Sequence, residues 1–356
     1  MDDSYAHSVT YKEIVRQQES WNIALDSLAK EEGEYHEIVE RFRDRIWIFS
    51  GCGTSFYLAQ VASNLTRLIT GVQTRAIPAS EILIFPDLVF SKNEDYLLIP
   101  LSRSGKTTEI VRAAHKAKVD FGIPTLAISC DFNSALSSES DMKLKFRFEQ
   151  ERSVVMTGSF TTMLTSIVYL ASLLDGNKTV QEKLRQMSDL SNQVMTENED
   201  LLRDVILNNV YNDFVFLGQG PHFGIANEAA LKMQEMSISF SQSFHSLEYR
   251  HGPMSTATDE TLITILLCQN SKTFGIPLVA DLKELGASVL LIGQGSGDQI
   301  GKNADFRIDI PGGHGDIFNS FLYMPLLQLL AFYKAISKNI NPDNPKNLTA
   351  VVTLKI

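Results

Sequence analysis

The sequence has little of what marks several large classes of protein. Cysteine occurs three times in 356 residues, as Cys52, Cys130 and Cys268. The three are widely spaced and odd in number, so neither a disulfide framework nor a zinc cluster is indicated, and free thiols fit a reducing cytosol. No apolar run approaches the roughly 18 residues of a membrane span, and Met1-Asp2-Asp3 does not open a basic segment followed by an apolar one. A cytoplasmic protein with no membrane partner is expected. Basic residues are outnumbered, 32 Lys and Arg against 42 Asp and Glu, for a formal charge of -10. That balance argues against nucleic acid, which favours clustered Lys and Arg. A small anion stays compatible, because a few local donors outweigh a distant negative surface. Seven histidines and the three cysteines form no HExxH or CxxC spacing, so no metal and no organic cofactor is expected.

What is present points to a large α/β protein. A 44% apolar and 21% charged composition is that of a globular chain, and 356 residues exceed what one hydrophobic core ordinarily serves. Residues 13–44 are charged and carry Ile14, Trp21, Leu25 and Leu28 at helical spacing, so an N-terminal helical segment is expected over 1–44. The chain then repeats itself. Ile46 to Phe49, the turn Ser50 to Ser55 and a helical stretch to Ile69 return as Phe214 to Leu217, Gly218-Gln219-Gly220 and Ile225 to Ser237. Gly51 and Gly53 recur as Gly218 and Gly220, 167 positions on. Tyr96 to Leu101 with a helix through Lys118 returns as Leu262 to Leu267 with a helix through Leu285. Gly122 to Ile128 returns as Gly286 to Ile292. Three units in one order indicate a duplicated domain of about 150 residues. Alternating strands and helices with Gly-rich turns predict two tandem doubly wound parallel sheets of flavodoxin-like type, with helices on both faces. The expected domains are residues 45–190 and 205–340, followed by a tail, 341–356. The charged helical stretch from Asp175 to Asp204 joins the halves.

In open parallel sheets ligands bind where strand ends run into helix N-termini. In the first copy two such loops are rich in hydroxyls: Thr54 and Ser55 after Gly53, and Ser102, Ser104, Thr107 and Thr108 around Gly105. Backbone N–H groups, a helix end and several O–H donors together would cradle a phosphate. Ser and Thr before a helix are also ordinary N-caps. The second copy replaces Ser102 by Cys268 and Ser104 by Asn270, so the cluster is not required merely to make the turn.

The segments Gly51-Cys52-Gly53-Thr54-Ser55, Ser102-Arg103-Ser104-Gly105-Lys106-Thr107-Thr108-Glu109, Arg152 to Met163, and Leu247-Glu248-Tyr249-Arg250-His251-Gly252-Pro253 resemble the tandem sugar isomerase (SIS) domain family. The similarity runs from about Glu13 to Leu354. It extends to the isomerase half of glucosamine-6-phosphate synthase, and more closely to shorter glucosamine-6-phosphate deaminases and tagatose-6-phosphate ketose/aldose isomerases. The resemblance implies a phosphorylated sugar as partner, held by Ser102, Ser104 and Thr107, with Gly53, Thr54, Ser55, Arg103 and Ser159 around it. It also implies a homodimer or higher oligomer with a shared active site.

On the helix read from Ile225 to Ser239, Glu228, Lys232, Glu235 and Ser239 fall within roughly a 60° arc, opposite Ala226, Ala229, Ala230, Met233 and Met236. Such a pattern also describes a solvated Glu/Lys ladder. Its place after the Gly218-Gln219-Gly220 turn puts this exposed arc beside the strand-end crevice. Aldose and ketose interconvert by moving a proton between neighbouring carbons, which a carboxylate base accomplishes. The resemblance makes Glu235 that base, Lys232 its partner and His251 the ring-opening group, reaching a neighbouring subunit's site. Glu228 lies beside them, and Glu248 is expected to orient His251 or bind a sugar hydroxyl. Where the synthase has a C-terminal lysine this chain has Ala350, and about 45 residues before the first strand leave no glutaminase domain. The expected reaction is isomerisation coupled to deamination of an amino sugar 6-phosphate. A fructosamine-6-phosphate deglycase, a plain phosphosugar isomerase and a non-catalytic sugar-phosphate sensor are compatible with the same motifs.

Overall fold

A computed structural model of the chain describes residues 3–148, 151–176, 178–295 and 302–354. Two N-terminal helices, α1 (Val9–Leu28) and α2 (Glu32–Arg41), lead into β1 (Ile46–Gly51), α3 (Thr54–Thr70), β2 (Thr74–Pro78), α4 (Ala79–Ile84), α5 (Pro86–Val89), β3 (Tyr96–Ser102) and α6 (Thr108–Phe121). There follow β4 (Leu126–Ser129), α7 (Ala135–Glu139), β5 (Met142–Leu144), α8 (Gly158–Asp175) and the long α9 (Lys178–Leu207). The second half comprises β6 (Asp213–Gly218), α10 (Pro221–Ser237), β7 (Phe240–His245), β8 (Thr261–Leu266), α11 (Lys272–Glu284), β9 (Ser288–Gly293), β10 (Phe306–Asp309) and α12 (Asp316–Ser337).

Each half forms a five-stranded parallel sheet. The orders are β2-β1-β3-β4-β5 and β7-β6-β8-β9-β10, so the second sheet repeats the first strand for strand, and both are parallel and doubly wound as expected. The central strands β1, β3 and β8 are buried at every residue, because helices cover both faces of a parallel sheet. The chain separates into two compact units. One holds β1–β5 and consists of Arg16–Arg152, Met156–Ser188 and Thr349–Ile356; the other holds β6–β10 and consists of Met1–Val15, Ser153–Val155 and Asp189–Leu348. The C-terminal tail thus belongs with the first sheet and the first residues of α1 with the second.

The duplication is visible in backbone geometry. Gly53 and Gly220 precede α3 and α10 with φ/ψ of 53°/-126° and 56°/-129°, a region open in practice to glycine alone. Two residues earlier, a Cβ on Gly51 would lie 2.5 Å from the Ser55 carbonyl, and one on Gly218 2.2 Å from the His222 carbonyl. Side-chain-free residues let each helix start against its own strand.

Helix α10 departs from the sequence reading at its start, in the burial of one face and at its end. It begins at Pro221 rather than Ile225, with proline in the first turn where its missing N–H costs nothing. Its Glu/Lys arc is buried rather than exposed: Glu228 and Lys232 have no solvent exposure. The reason is that α10 packs on β6 and β7 on one side and along α12 on the other, with Ala226, Ala229 and Ala230 permitting close approach. Ser239 lies beyond the helix end, where Ile238 adopts a left-handed conformation (φ 49°).

Two outcomes are expected. Gly51→Ala and Gly218→Ala should each lower unfolding stability by about 2 kcal/mol or more, since the added methyl meets backbone that cannot yield. Gly33→Ala, in helix α2 with nothing within 4 Å, should instead stabilise by roughly 0.5–1 kcal/mol. Equal denaturant midpoints for the three variants would contradict this. The second outcome concerns His222, fully buried at the start of α10, whose Nε2 lies 3.2 Å from the Asp316 carbonyl. Burial pushes its pKa down, against a smaller opposing effect of Asp316. Below roughly pH 6.5 the unfolded chain takes up a proton that the folded chain refuses, so stability present at neutral pH is lost as pH falls. The denaturant midpoint should drop between about pH 7.5 and 5.5. His222→Gln should flatten that drop, and an unchanged slope would remove His222 as its cause.

Candidate functional site

In the strand order 2-1-3-4-5 the chain leaves neighbouring strands β1 and β3 in opposite directions, which opens a crevice at their carboxyl ends. The structure places Gly53, Thr54 and Ser55 at the first of these ends and Ser102, Arg103, Ser104 and Thr107 at the second. Thr107 is the N-cap residue of α6, yet its side chain makes no capping bond, and α3 is capped by a glycine. N-capping therefore does not account for the hydroxyls. Two of them do help to shape the loop: Ser102 Oγ accepts from Gly105 N at 3.0 Å and Ser104 Oγ from Lys106 N at 3.2 Å. Gly105 (φ 61°) has no room for a Cβ, which would fall 2.0 Å from Ser134 Oγ. The second copy builds the same turn differently, with Ser271 Oγ accepting from Cys268 N.

Around this loop stands a residue that the sequence reading missed. Glu151, nearly buried, accepts from Arg103 Nη1 at 2.9 Å, from the amide and hydroxyl of Thr157 at 2.8 and 2.7 Å, and from the amide and hydroxyl of Ser159 at 3.2 and 2.6 Å. Ser159 is fully buried with its hydroxyl spent on Glu151, so it supports the site rather than facing the crevice. An acid six residues before a Thr-Gly-Ser helix start was the available signal. The tail also reaches here. Arg103 Nη2 donates to the Ala350 carbonyl at 3.4 Å, Thr108 N to Val352 O at 3.5 Å, and Leu354 N to Thr108 Oγ1 at 3.0 Å. At the position where the resemblance leads one to seek a lysine, this chain offers a backbone carbonyl. The thiols in these loops are protonated at neutral pH. Burial and Glu109 push Cys52 up to about 12, and burial with Glu151 pushes Cys130 well above the ordinary thiol value, which disfavours the thiolate form at both.

In the second unit the matching crevice carries different chemistry. Gln269 stands where Arg103 does, and its N–H donates to the Asp316 carboxylate at 2.9 Å. A cavity of about 160 Å³ at these strand ends is lined largely by apolar groups, among them Leu267, Phe274 and Leu278, beside Gln219 and Asn270. A resident carboxylate and apolar walls do not suit a phosphate. The ionic group lies instead along α10. Lys232 donates to the Glu235 carboxylate, and its Nζ is 3.2 Å from Glu228 Oε1. Burial lowers the Lys232 pKa, but the two carboxylates and their hydrogen bonds outweigh it, so the ammonium stands above the ordinary lysine value and stays charged. Glu235 keeps partial exposure at its side chain, 16%, while Lys232 has none. Lys232 thus lies beneath Glu235, whose side chain alone of the three reaches the surface.

His251 is exposed in the turn after a short 3-10 helix, Glu248–Arg250; its N–H donates to Glu248 O at 3.0 Å and neighbouring Arg250 pairs with Asp281. Glu248 is exposed too, and its charge acts on His245. His245 is the second residue that the sequence reading missed. It ends β7, stacks on Phe223 with centroids 3.7 Å apart, and has a buried Nδ1 without a hydrogen-bond partner among the described residues. Its position at the end of a strand just before the Glu248 to His251 segment was the signal. The structure thus gathers Gly53, Thr54, Ser55, Ser102, Arg103, Ser104, Thr107 and Ser159 in one unit, and Glu228, Lys232, Glu235, Glu248 and His251 in the other. Among the described residues no group of three or more His, Cys, Asp or Glu is arranged to hold a metal ion, and no helix is long and apolar enough to cross a membrane.

Comparison with known proteins agrees with this geometry. The chain is 31% identical to the crystal structure of glucosamine-6-phosphate deaminase from Thermotoga maritima, with a TM-score of 0.80, covering 98% of this chain and 100% of that one. Tagatose-6-phosphate ketose/aldose isomerase from Escherichia coli shares the fold, with a TM-score of 0.86 at 23% identity over 99% and 98% of the two chains. Glutamine--fructose-6-phosphate aminotransferase [isomerizing] from Legionella pneumophila (strain Lens) is 30% identical over 311 residues, 85% of this chain and 50% of that protein. The chain spans about half the length of such curated relatives. The SIS domain profile matches twice, over residues 43–173 and 211–337. With a parallel sheet and a Gly-x-Gly turn in each match, the chain belongs to the SIS domain family.

Proposed function

We propose that the chain is a phosphosugar isomerase that acts on an amino sugar 6-phosphate and releases ammonia, converting glucosamine 6-phosphate to fructose 6-phosphate. The observation that carries this is the charged group on α10. An ammonium and a carboxylate are costly to bury, and a partly exposed second carboxylate at the edge of such a group is suited to proton transfer. The first unit by itself offers hydroxyl and backbone donors around the Ser102–Gly105 turn that suit a phosphate. End-to-end similarity to a glucosamine-6-phosphate deaminase supports the amino sugar.

The chemistry needs only acids and bases. Ring opening frees the C1 aldehyde, a proton transfer for which exposed His251 is suited, and which a second subunit's His251 would serve in a shared site. Glu235 takes the C2 proton, giving an enolamine, and returns a proton to C1, leaving an imine at C2. Water adds to that imine and ammonia leaves, with no change in overall oxidation state. Glu235→Gln keeps the shape but cannot accept the proton, so kcat should fall roughly a hundred- to ten-thousandfold with substrate affinity nearly retained. Ammonia release from glucosamine 6-phosphate tests the reaction, and exchange of the C2 proton with solvent tests the base. Wild-type exchange rates in Glu235→Gln would exclude Glu235. Isomerisation of neutral phosphosugars without ammonia release from the amino sugar would exclude the deaminase reading.

A further inference from the structure

We propose that Glu151 is a positioning residue for phosphate binding: its carboxylate ties Arg103 to the N-terminus of α8 and so holds the Ser102–Gly105 loop in its receiving conformation. The inference rests on the phosphosugar reading and deepens it. Oε1 accepts from Thr157 N, Thr157 Oγ1 and Ser159 N, and Oε2 from Ser159 Oγ and Arg103 Nη1. Five donors saturate the roughly four lone-pair directions of a carboxylate, so Glu151 is not available as a base or a ligand. Its effect must pass through the groups it holds. Arg103 sits between Ser102 and Ser104, its own carbonyl accepts from Ser129 Oγ at 3.3 Å, and the Gly105 carbonyl accepts from Leu136 N at 2.9 Å. The loop is therefore anchored by its backbone on one side and by the Arg103 side chain on the other. Without Glu151 the second anchor loses its charged tie to α8 and keeps only weaker contacts such as that to the Ala350 carbonyl, so ordering the loop draws on ligand binding.

Charge and position make opposite predictions, which separates them. As a bare negative charge near an anion, Glu151 would weaken phosphate binding, and Glu151→Gln would tighten it. As an anchor it cannot be replaced by an amide, because whichever way the amide turns, its NH2 faces either the guanidinium or the α8 donors. The test uses the full chain, with calorimetric binding of glucosamine 6-phosphate and of inorganic phosphate, and steady-state kinetics. Glu151→Gln is expected to raise Kd and KM roughly ten- to hundredfold with kcat little changed. Arg103→Lys keeps the charge but loses the fork and should weaken binding in the same direction, and combining the two should cost little more than either, because both break one tie. Binding by Glu151→Gln as tight as the wild type, or tighter, overturns the proposal, as does full additivity. Should Glu151→Gln not fold, unchanged affinity in Arg103→Lys overturns it alone. If the wild-type chain binds neither probe, the phosphosugar reading fails with it; if it does and only the variants are indifferent, the anchor alone is wrong.

Discussion

Both crevices depend on one backbone constraint. After β1 and again after β6 the chain enters a helix so abruptly that the carbonyl four residues on fills the space of a Cβ on Gly51 or Gly218. The glycine two positions later then takes a conformation closed to other residues. This turn aims the N-termini of α3 and α10 at the strand ends and leaves the backbone bare there. A parallel sheet in the order 2-1-3-4-5 adds the opening beside it, between the first and third strands. Functional side chains can then change while the turn stays.

The two copies show that divergence. In the first, the β3 loop carries Ser102, Arg103 and Ser104, with Glu151 balancing the guanidinium. In the second, Cys268, Gln269 and Asn270 take those places, and the Asp316 carboxylate caps the Gln269 amide. Glu151 takes its donors from the Arg103 side chain and from α8 and leaves the loop amides bare of it, whereas Asp316 sits directly on the amide of the second loop. The two loops thus share a turn but not their polar groups.

On the second copy the informative feature is energetic. Burying Lys232 with Glu228 and Glu235 lets mutual attraction offset desolvation, but well-packed apolar residues would ordinarily serve stability as well or better. The presence of the charges is understandable if an ionised carboxylate is needed at that point.

The strands, the tandem repeat, the glycine turns and the hydroxyl-rich loop were legible in the sequence, because each rests on local chemistry: apolar runs, positive φ, and residue type at a fixed offset. The candidate residues Ser102, Ser104, Glu235 and His251 could be named for the same reason. What only tertiary structure decided was environment. Periodicity shows that Glu228, Lys232 and Glu235 share an arc, but whether that arc meets water depends on β6, β7 and α12, the last some 80 residues further on, and they bury Glu228 and Lys232 and leave Glu235 partly exposed. Ser159 reads as a crevice hydroxyl, but its O–H is spent on Glu151, and Glu151 gives only the weak signal of a single acid ahead of a helix start, which has no period. The tail's contact with Arg103 and Thr108 joins residues about 250 positions apart, through backbone carbonyls and amides that every residue possesses, so no side-chain pattern could announce it.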